Sequence, residues 1–162
     1  MNSILLHEVK GKSEILTFNT PEKLNVLSEE MLKEFSVALR KCAANQSTHV
    51  VILRSTGKAF CAGHDLKQMQ NERNNPDKGL KYFNKLFNQC SKVMMQIKNL
   101  PKPVVAEVQG VATAAGCQLV ATCDIAVASN IAKFGVNGVN IGLFCSTPMV
   151  ALSRNIGRKK TF

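Results

Sequence analysis

The sequence predicts an α/β fold with a mostly parallel sheet, and three observations carry that prediction. Residues 49–53 (HVVIL) and Val104–Val108 are apolar runs of strand length, continuous enough for strands covered on both faces. Between them lie segments whose apolar residues recur at three- and four-residue steps, the helical period. Glycines and prolines punctuate the junctions, the order expected of strand–helix–strand units.

Taken in order, residues 4–9 and 14–19 alternate in polarity and, with Gly11 between them, read as a hairpin. Thr20-Pro21 marks a turn. Ser28 is placed as the N-cap of an amphipathic helix over 28–45, with Glu29 and Glu30 in its first turn, where carboxylates suit the helix dipole. Met31, Leu32, Phe35, Leu39 and Cys42 form its apolar stripe. Residues 57–64 read as a loop of small residues, and Asp65 as the cap of a short helix. Asp77 is expected to cap a second long helix, with Leu80, Phe83, Leu86, Phe87, Cys90, Val93, Met94 and Ile97 facing the core. Pro101 and Pro103 end it. After Gly110, the small residues 112–117 run into a helix ending near Cys123, and Asp124 introduces the strand Ile125–Ala128. No internal repeat is visible, and residues 158–162 read as the start of a further helix.

With 162 residues, 45% of them apolar, the chain is long enough for one domain with a true core, expected over 1–162. No stretch approaches the ~18 apolar residues of a membrane span, so no membrane partner is expected. The first residues lack the features of a secretory signal or transit peptide, so a cytoplasmic bacterial protein or a mature mitochondrial one is expected. The six cysteines are scattered singly, with no C-x-x-C pair and no histidine cluster beside them. They read as buried, reduced thiols, and no metal site is expected. The net charge of +10 favours an anionic partner: nucleic acid, an acidic membrane surface or a phosphorylated cofactor. The lysines are dispersed and the chain has one Tyr and no Trp, which disfavours a single-strand binder.

Two segments carry glycines and alanines that packing does not explain. Residues 58–67 (KAFCAGHDLK) follow one strand; residues 109–118 (QGVATAAGCQ) follow another and open a helix. Small residues at such junctions let a ligand approach the backbone, and the unpaired N–H groups of a helix start point at whatever lies there. Two such amides aimed at one point make an oxyanion hole.

These segments, F-x-x-G-x-D-L-K and G-x-x-x-A-x-G-C-x-L-x-x-x-C-D-I-A-x-A, resemble the two signatures of the crotonase (enoyl-CoA hydratase/isomerase) superfamily over residues 4–158. Residues 63–66, 114–118 and 139–148 are most similar to the group called enoyl-CoA hydratase domain-containing protein 3. The resemblance implies a crotonase-like spiral of ββα units, with the N-terminal core alone present and the C-terminal helical trimerisation region absent. It implies an acyl-CoA thioester as partner, coenzyme A as part of the substrate with no permanently bound cofactor, and a homotrimer or dimer of trimers for the full-length protein. The backbone N–H groups of His64 and Ala115 would hold the thioester oxygen. Lys67 would contact the CoA phosphates, and the turn bearing Lys23, Leu24 and Val26 would line the adenine pocket. Some relatives bind RNA through lysine-rich helices, but no helix here carries lysines along one continuous face, so RNA is not the expected partner.

Two departures from the family pattern matter more. The glutamates that activate water and deliver a proton in hydratases fall at Gln118 and Gly138 here. Glutamine has no proton to trade near neutral pH, although its amide can position water; glycine has no side chain. After Glu107 the only acidic residue is Asp124, at a position the family uses structurally. Hydratase activity is therefore expected to be weak or absent. Decarboxylation, thioester hydrolysis and a non-catalytic binding or scaffold role stay open, as does a base role for the His64 imidazole. Cys145 and Ser146 lack an adjacent base and read as packing. Asn137 and Asn140 are expected to satisfy turn backbone.

Overall fold

The computed structural model describes residues 3–161; Met1, Asn2 and Phe162, the last of which closes the expected terminal helix, lie outside the described residues. Two sheets organise the chain. The larger runs β1 (Leu5–Lys10), β2 (Ser13–Phe18), β3 (Val50–Ser55), β5 (Val104–Val108) and β7 (Ile125–Ala128) in that spatial order. The smaller comprises β4 (Ala59–Cys61), β6 (Val111–Thr113) and β8 (Lys133–Gly135). Only β1–β2 is antiparallel, the expected hairpin turning at Gly11; every other pairing is parallel. The first unit gives both of its strands to the large sheet before α1; each later turn of the chain gives one strand to the large sheet, a short one to the small sheet, and then helix. This is the spiral of ββα units that the sequence resemblance implied.

The helices are α1 (Glu29–Ala44), α2 (Leu66–Glu72), α3 (Leu80–Lys98), α4 (Ala115–Thr122), α5 (Ser146–Asn155) and α6 (Arg158–Thr161). Helix α1 starts as its sequence dictates, Ser28 Oγ accepting from Met31 N at 3.1 Å, and it buries Met31, Leu32, Phe35, Leu39 and Cys42. Helix α3 begins later than expected, because Asp77 caps from outside it: its carboxylate accepts from the N–H groups of Gly79 and Lys81. The buried stripe keeps most of the residues read from the sequence and adds Tyr82. Tyr82, Leu86, Cys90, Val93, Met94 and Ile97 are buried, whereas Leu80 and Phe87 are exposed. Among the described residues no helix is long and apolar enough to cross a membrane.

Two further expectations fail. The loop read over 57–64 contains β4, and the small-residue stretch contains β6; strands of three residues have too few positions to show a period. Strand β7, expected to be covered on both faces, is an edge strand exposed along its whole length, with Ile125 54% and Val127 59% accessible.

All six cysteines are free and buried. One of them does meet a histidine in space, contrary to the reading from spacing. The donor atoms of His7, Glu14 and Cys42 lie within 4.8 Å of one another. The cation at this cluster is Lys102, whose ammonium reaches Glu14 Oε1, Thr48 Oγ1 and the carbonyls of Cys42 and Asn45 at the C-terminal end of α1. Burial pushes the Glu14 carboxyl up, but hydrogen bonds from Thr48, Cys42 and His7 outweigh it and hold the pKa at about 2. Burial, and then Glu14, push the Cys42 thiol up to about 12, which keeps it protonated. A carboxylate depressed in the folded state stabilises fully above its ordinary value of 4.5 and loses that contribution as pH falls toward 2. Melting curves of the wild type should therefore drop steeply across that window. Glu14→Gln should flatten the dependence and cost about 3 kcal/mol at neutral pH, by leaving the Lys102 ammonium buried without its counter-charge.

Candidate functional site

The carboxyl ends of β3 and β5 lead into the two segments singled out from the sequence, and the fold packs those segments backbone against backbone. A Cβ added at Gly116 would lie 2.1 Å from the Cys61 carbonyl oxygen, and one added at Gly110 would lie 2.1 Å from that of Lys58. A Cβ at Gly63, whose φ is +93°, would fall 3.0 Å from Ala114 Cβ and 3.3 Å from the Ala115 nitrogen. No side chain fits between the segments. The peptide joining Gly63 to His64 thus lies beside the peptide joining Ala114 to Ala115.

Each of those peptides carries a free N–H. Leu27 N donates to Gly63 O at 2.7 Å, which ties the loop to the α1 entry and spends the Gly63 carbonyl. The next amide, on His64, has no acceptor among the described residues; nor has that of Ala115, the first residue of α4. Ala114 has φ 51° and ψ −123°, sparsely populated values for a residue with a side chain. It is pinned there because its N–H donates to Gly135 O at 2.9 Å while its carbonyl accepts from Gln118 N at 3.0 Å. Such a conformation costs on the order of 1–3 kcal/mol, and here it sets the direction of the Ala115 N–H.

The His64 imidazole does not face a proton to remove. Its Nδ1 lies 3.4 Å from the Leu27 carbonyl and its ring meets Phe87 edge-on at 5.6 Å. Burial pushes its pKa below the ordinary value, the Leu27 carbonyl opposing this more weakly, so the ring is neutral at pH 7.

Beside His64 opens a groove of about 310 Å³, whose walls include Lys23, Leu24, Val26, Leu66 and Lys67. Four of these are the residues marked from the sequence as the cofactor-facing set. Leu24 and Asn25 both have positive φ, 56° and 52°. Asn25, which sequence reasoning passed over, holds that turn in place. Fully buried, it accepts from Thr20 N at 2.9 Å and donates to the carbonyls of Thr56 and Ala59, both at 2.8 Å. The available signal was an asparagine in a turn, a residue type that tolerates the left-handed region. Asp65 caps α2 as expected, accepting from Lys67 N and Gln68 N.

The two positions of the absent carboxylates differ from each other. Gln118 is buried in α4, its Oε1 accepting from Thr147 Oγ1 at 3.0 Å. At Gly138 there is no room: a Cβ would lie 2.6 Å from Cys145 Sγ and 2.7 Å from Leu143 O. Cys145 therefore packs, as its sequence context implied. Asp124 is spent on Val104 N at 2.7 Å and takes no part in the site. Asn137 departs from expectation, its Oδ1 receiving the Thr113 hydroxyl at 2.5 Å rather than turn backbone.

Comparison with known proteins shows the family and the fold. The sequence model of the family described as Enoyl-CoA hydratase/isomerase matches residues 11–161. The mitochondrial enoyl-CoA hydratase domain-containing protein 3 of Danio rerio is 44% identical over 158 residues, 98% of this chain and 53% of that protein. The crystal structure of an enoyl-CoA hydratase from Mycobacterium smegmatis superposes with a TM-score of 0.91 at 51% identity, covering 99% of this chain and 61% of that one. Human enoyl Coenzyme A hydratase domain-containing protein 3 superposes with a TM-score of 0.89 at 43% identity, over 98% and 61%. The chain thus spans about half the length of the curated relatives it matches.

If the glycine contacts hold the two segments together, Gly116→Ala must drive backbone from backbone. It should destabilise by more than about 3 kcal/mol or prevent folding. Gly135→Ala, at a strand position with nothing within 4 Å of the added carbon, should stay within about 0.5 kcal/mol of the wild type. Thermal denaturation of the two purified variants checks both.

Proposed function

Because the chain belongs to the enoyl-CoA hydratase/isomerase family, we propose that it binds an acyl-CoA thioester and polarises the thioester carbonyl with the N–H groups of His64 and Ala115. The observation that carries this reading is the Gly63–Ala115 contact, which sets two amides without acceptors side by side, with His64 on the wall of a groove that bears Lys23 and Lys67 along with Glu22 and Asp65. An enolate or tetrahedral oxyanion gains more from fixed amide dipoles than the neutral carbonyl does, so the pair lowers a barrier rather than only binding. One such donor is worth about 2.7–4 kcal/mol at a transition state in the measured protease case. The start of α4 adds its dipole to the Ala115 N–H. Lys23 and Lys67 are assigned to the phosphates of the CoA moiety, with Leu24 and Val26 against its adenine. Coenzyme A enters as part of the substrate.

Hydration needs groups that take a proton from water and return one to carbon. Gln118 cannot do either near neutral pH, and at Gly138 the space is filled by Cys145. The His64 ring is engaged with Leu27 and Phe87. The reading is therefore a thioester-binding site with its anion stabiliser and without the hydratase proton carriers. The Danio rerio relative is mitochondrial by name, and the same compartment is proposed for this chain.

Calorimetry with CoA and butyryl-CoA, beside a crotonyl-CoA hydration assay, tests the reading. Binding is expected, with hydration slower than in a carboxylate-bearing relative by about 10⁴-fold, the upper range of what acid–base groups supply. Hydration at ordinary enzyme rates would overturn the assignment of Gln118 and Gly138; absence of CoA binding would overturn the site. Lys23→Ala and Lys67→Ala should each weaken CoA binding by about two- to fivefold and reduce its salt dependence.

A further inference from the structure

Resting on the thioester reading, we propose that the acyl end of the site presents hydrogen-bond donors, those of the Gln118 NH₂ group. It selects acyl groups that carry a second oxygen acceptor, such as a 3-hydroxyl or a carboxylate, over plain hydrocarbon chains.

The side-chain amides of Gln118 and Asn137 are oriented in the same way. A carbonyl oxygen can only accept, so the Thr147 hydroxyl at 3.0 Å from Gln118 Oε1 donates to it. The Thr113 hydroxyl donates likewise to Asn137 Oδ1 at 2.5 Å. Each threonine fixes the oxygen of its amide and leaves the NH₂ to face outward. Gln118 is 9% exposed and its Nε2 makes no hydrogen bond to the described residues. Even so, Nε2 is not sealed in: the buried side-chain polar atoms left unpaired are Tyr82 Oη and Gln96 Oε1. Nε2 thus stays open to an acceptor from outside the chain.

Of the two, only Gln118 is buried and belongs where the Ala115 N–H points; Asn137 is exposed to solvent. Gln118 lies three residues after Ala115 on α4, hence on the same helix face, and helical side chains lean toward the N-terminus, over that amide. Thr113, which holds Asn137, lies two residues before Ala115. Its carbonyl oxygen is 3.3 Å from the point a Cβ on Gly63 would occupy. After Glu107 the only acidic residue is Asp124, which is bound to Val104 N. Where the family carries a carboxylate in the first turn of α4, this chain presents the two N–H donors of an amide. An acceptor on the acyl group satisfies them. A hydrocarbon desolvates them without recompense, and sites built to hydrogen-bond a substituent reject the analogue that lacks it.

Isothermal titration of the full chain with butyryl-CoA, 3-hydroxybutyryl-CoA and malonyl-CoA tests the proposal and separates the two kinds of acceptor. The wild type should bind at least one of the oxygen-bearing thioesters about tenfold more tightly than butyryl-CoA, one net hydrogen bond's worth. Thr147→Val should bring that ratio to near one, and Thr147→Ser should restore it, an outcome a merely structural role for the residue would not give. Gln118→Glu, which replaces a donor by an acceptor, should reduce the malonyl-CoA preference most. Equal binding of all three thioesters by the wild type, or an unchanged ratio in Thr147→Val, overturns the proposal while leaving thioester binding intact. Failure of every thioester to bind overturns it together with the reading it rests on.

Discussion

The contact on which the site depends is the approach of residues 58–63 to residues 110–116 with no side chain between them. Gly110 and Gly116 make it possible, each standing where a single added carbon would collide with a carbonyl oxygen of the preceding turn of the spiral. From that contact follow the pairing of β4 with β6, the burial of the first turns of α4, and the adjacency of the His64 and Ala115 amides. The unfavourable backbone of Ala114 persists because both of its hydrogen-bonding groups are held, by Gly135 and Gln118. The fold thus keeps two donors aimed before any ligand arrives, so little reorganisation is needed when charge develops between them.

Given that geometry, the residues around the amides decide what chemistry is open. A carboxylate in the first turn of α4 would carry protons, and it would also set a negative charge near the oxygen on which negative charge must develop. Replacing it by an amide whose oxygen is held by Thr147 removes both effects. The loss at Gly138 is of a different kind, because Cys145 and Leu143 fill the space, so one substitution could not return a carboxylate there without moving the 143–145 loop. The thiol that fills it packs rather than reacts, since no base stands beside it.

What could be read from the sequence, and what could not, divides by distance along the chain. Ser28, Asp65 and Asp124 act on backbone where their local sequence says, and β5 and the hairpin follow from runs of five and six residues. The groove residues and the two amides were named through the resemblance to a family alone, which rests on contiguous segments next to strands. Strands β4, β6 and β8 were not legible: three residues cannot display a period, and they exist through pairing with one another. Leu80 and Phe87 fit the helical period and yet lie exposed, because a period does not fix how wide the covered face of α3 is. Gln118 and Thr147 are 29 residues apart, and Asn137 and Thr113 are 24 apart. Nothing local in the chain announces either pair.

The two ends of the large sheet do different work. Parallel strands β3, β5 and β7 all point their carboxyl ends at the loops that hold the groove and the free amides, the usual address for a ligand in an α/β sheet. Their amino ends carry the polar anchors: buried Thr48 ahead of β3, Lys102 ahead of β5, exposed Asp124 ahead of β7, with buried Glu14 near the start of β2. Lys102 joins the last carbonyls of α1 to Glu14, and Asp124 fixes the first amide of β5. These charges are saturated by neighbours and leave nothing to offer a ligand. At the opposite end the amides of His64 and Ala115 and the NH₂ of Gln118 are left without partners. A fold that satisfies its polar groups so fully at one end of a sheet and leaves donors unpaired at the other has separated what holds it together from what it binds.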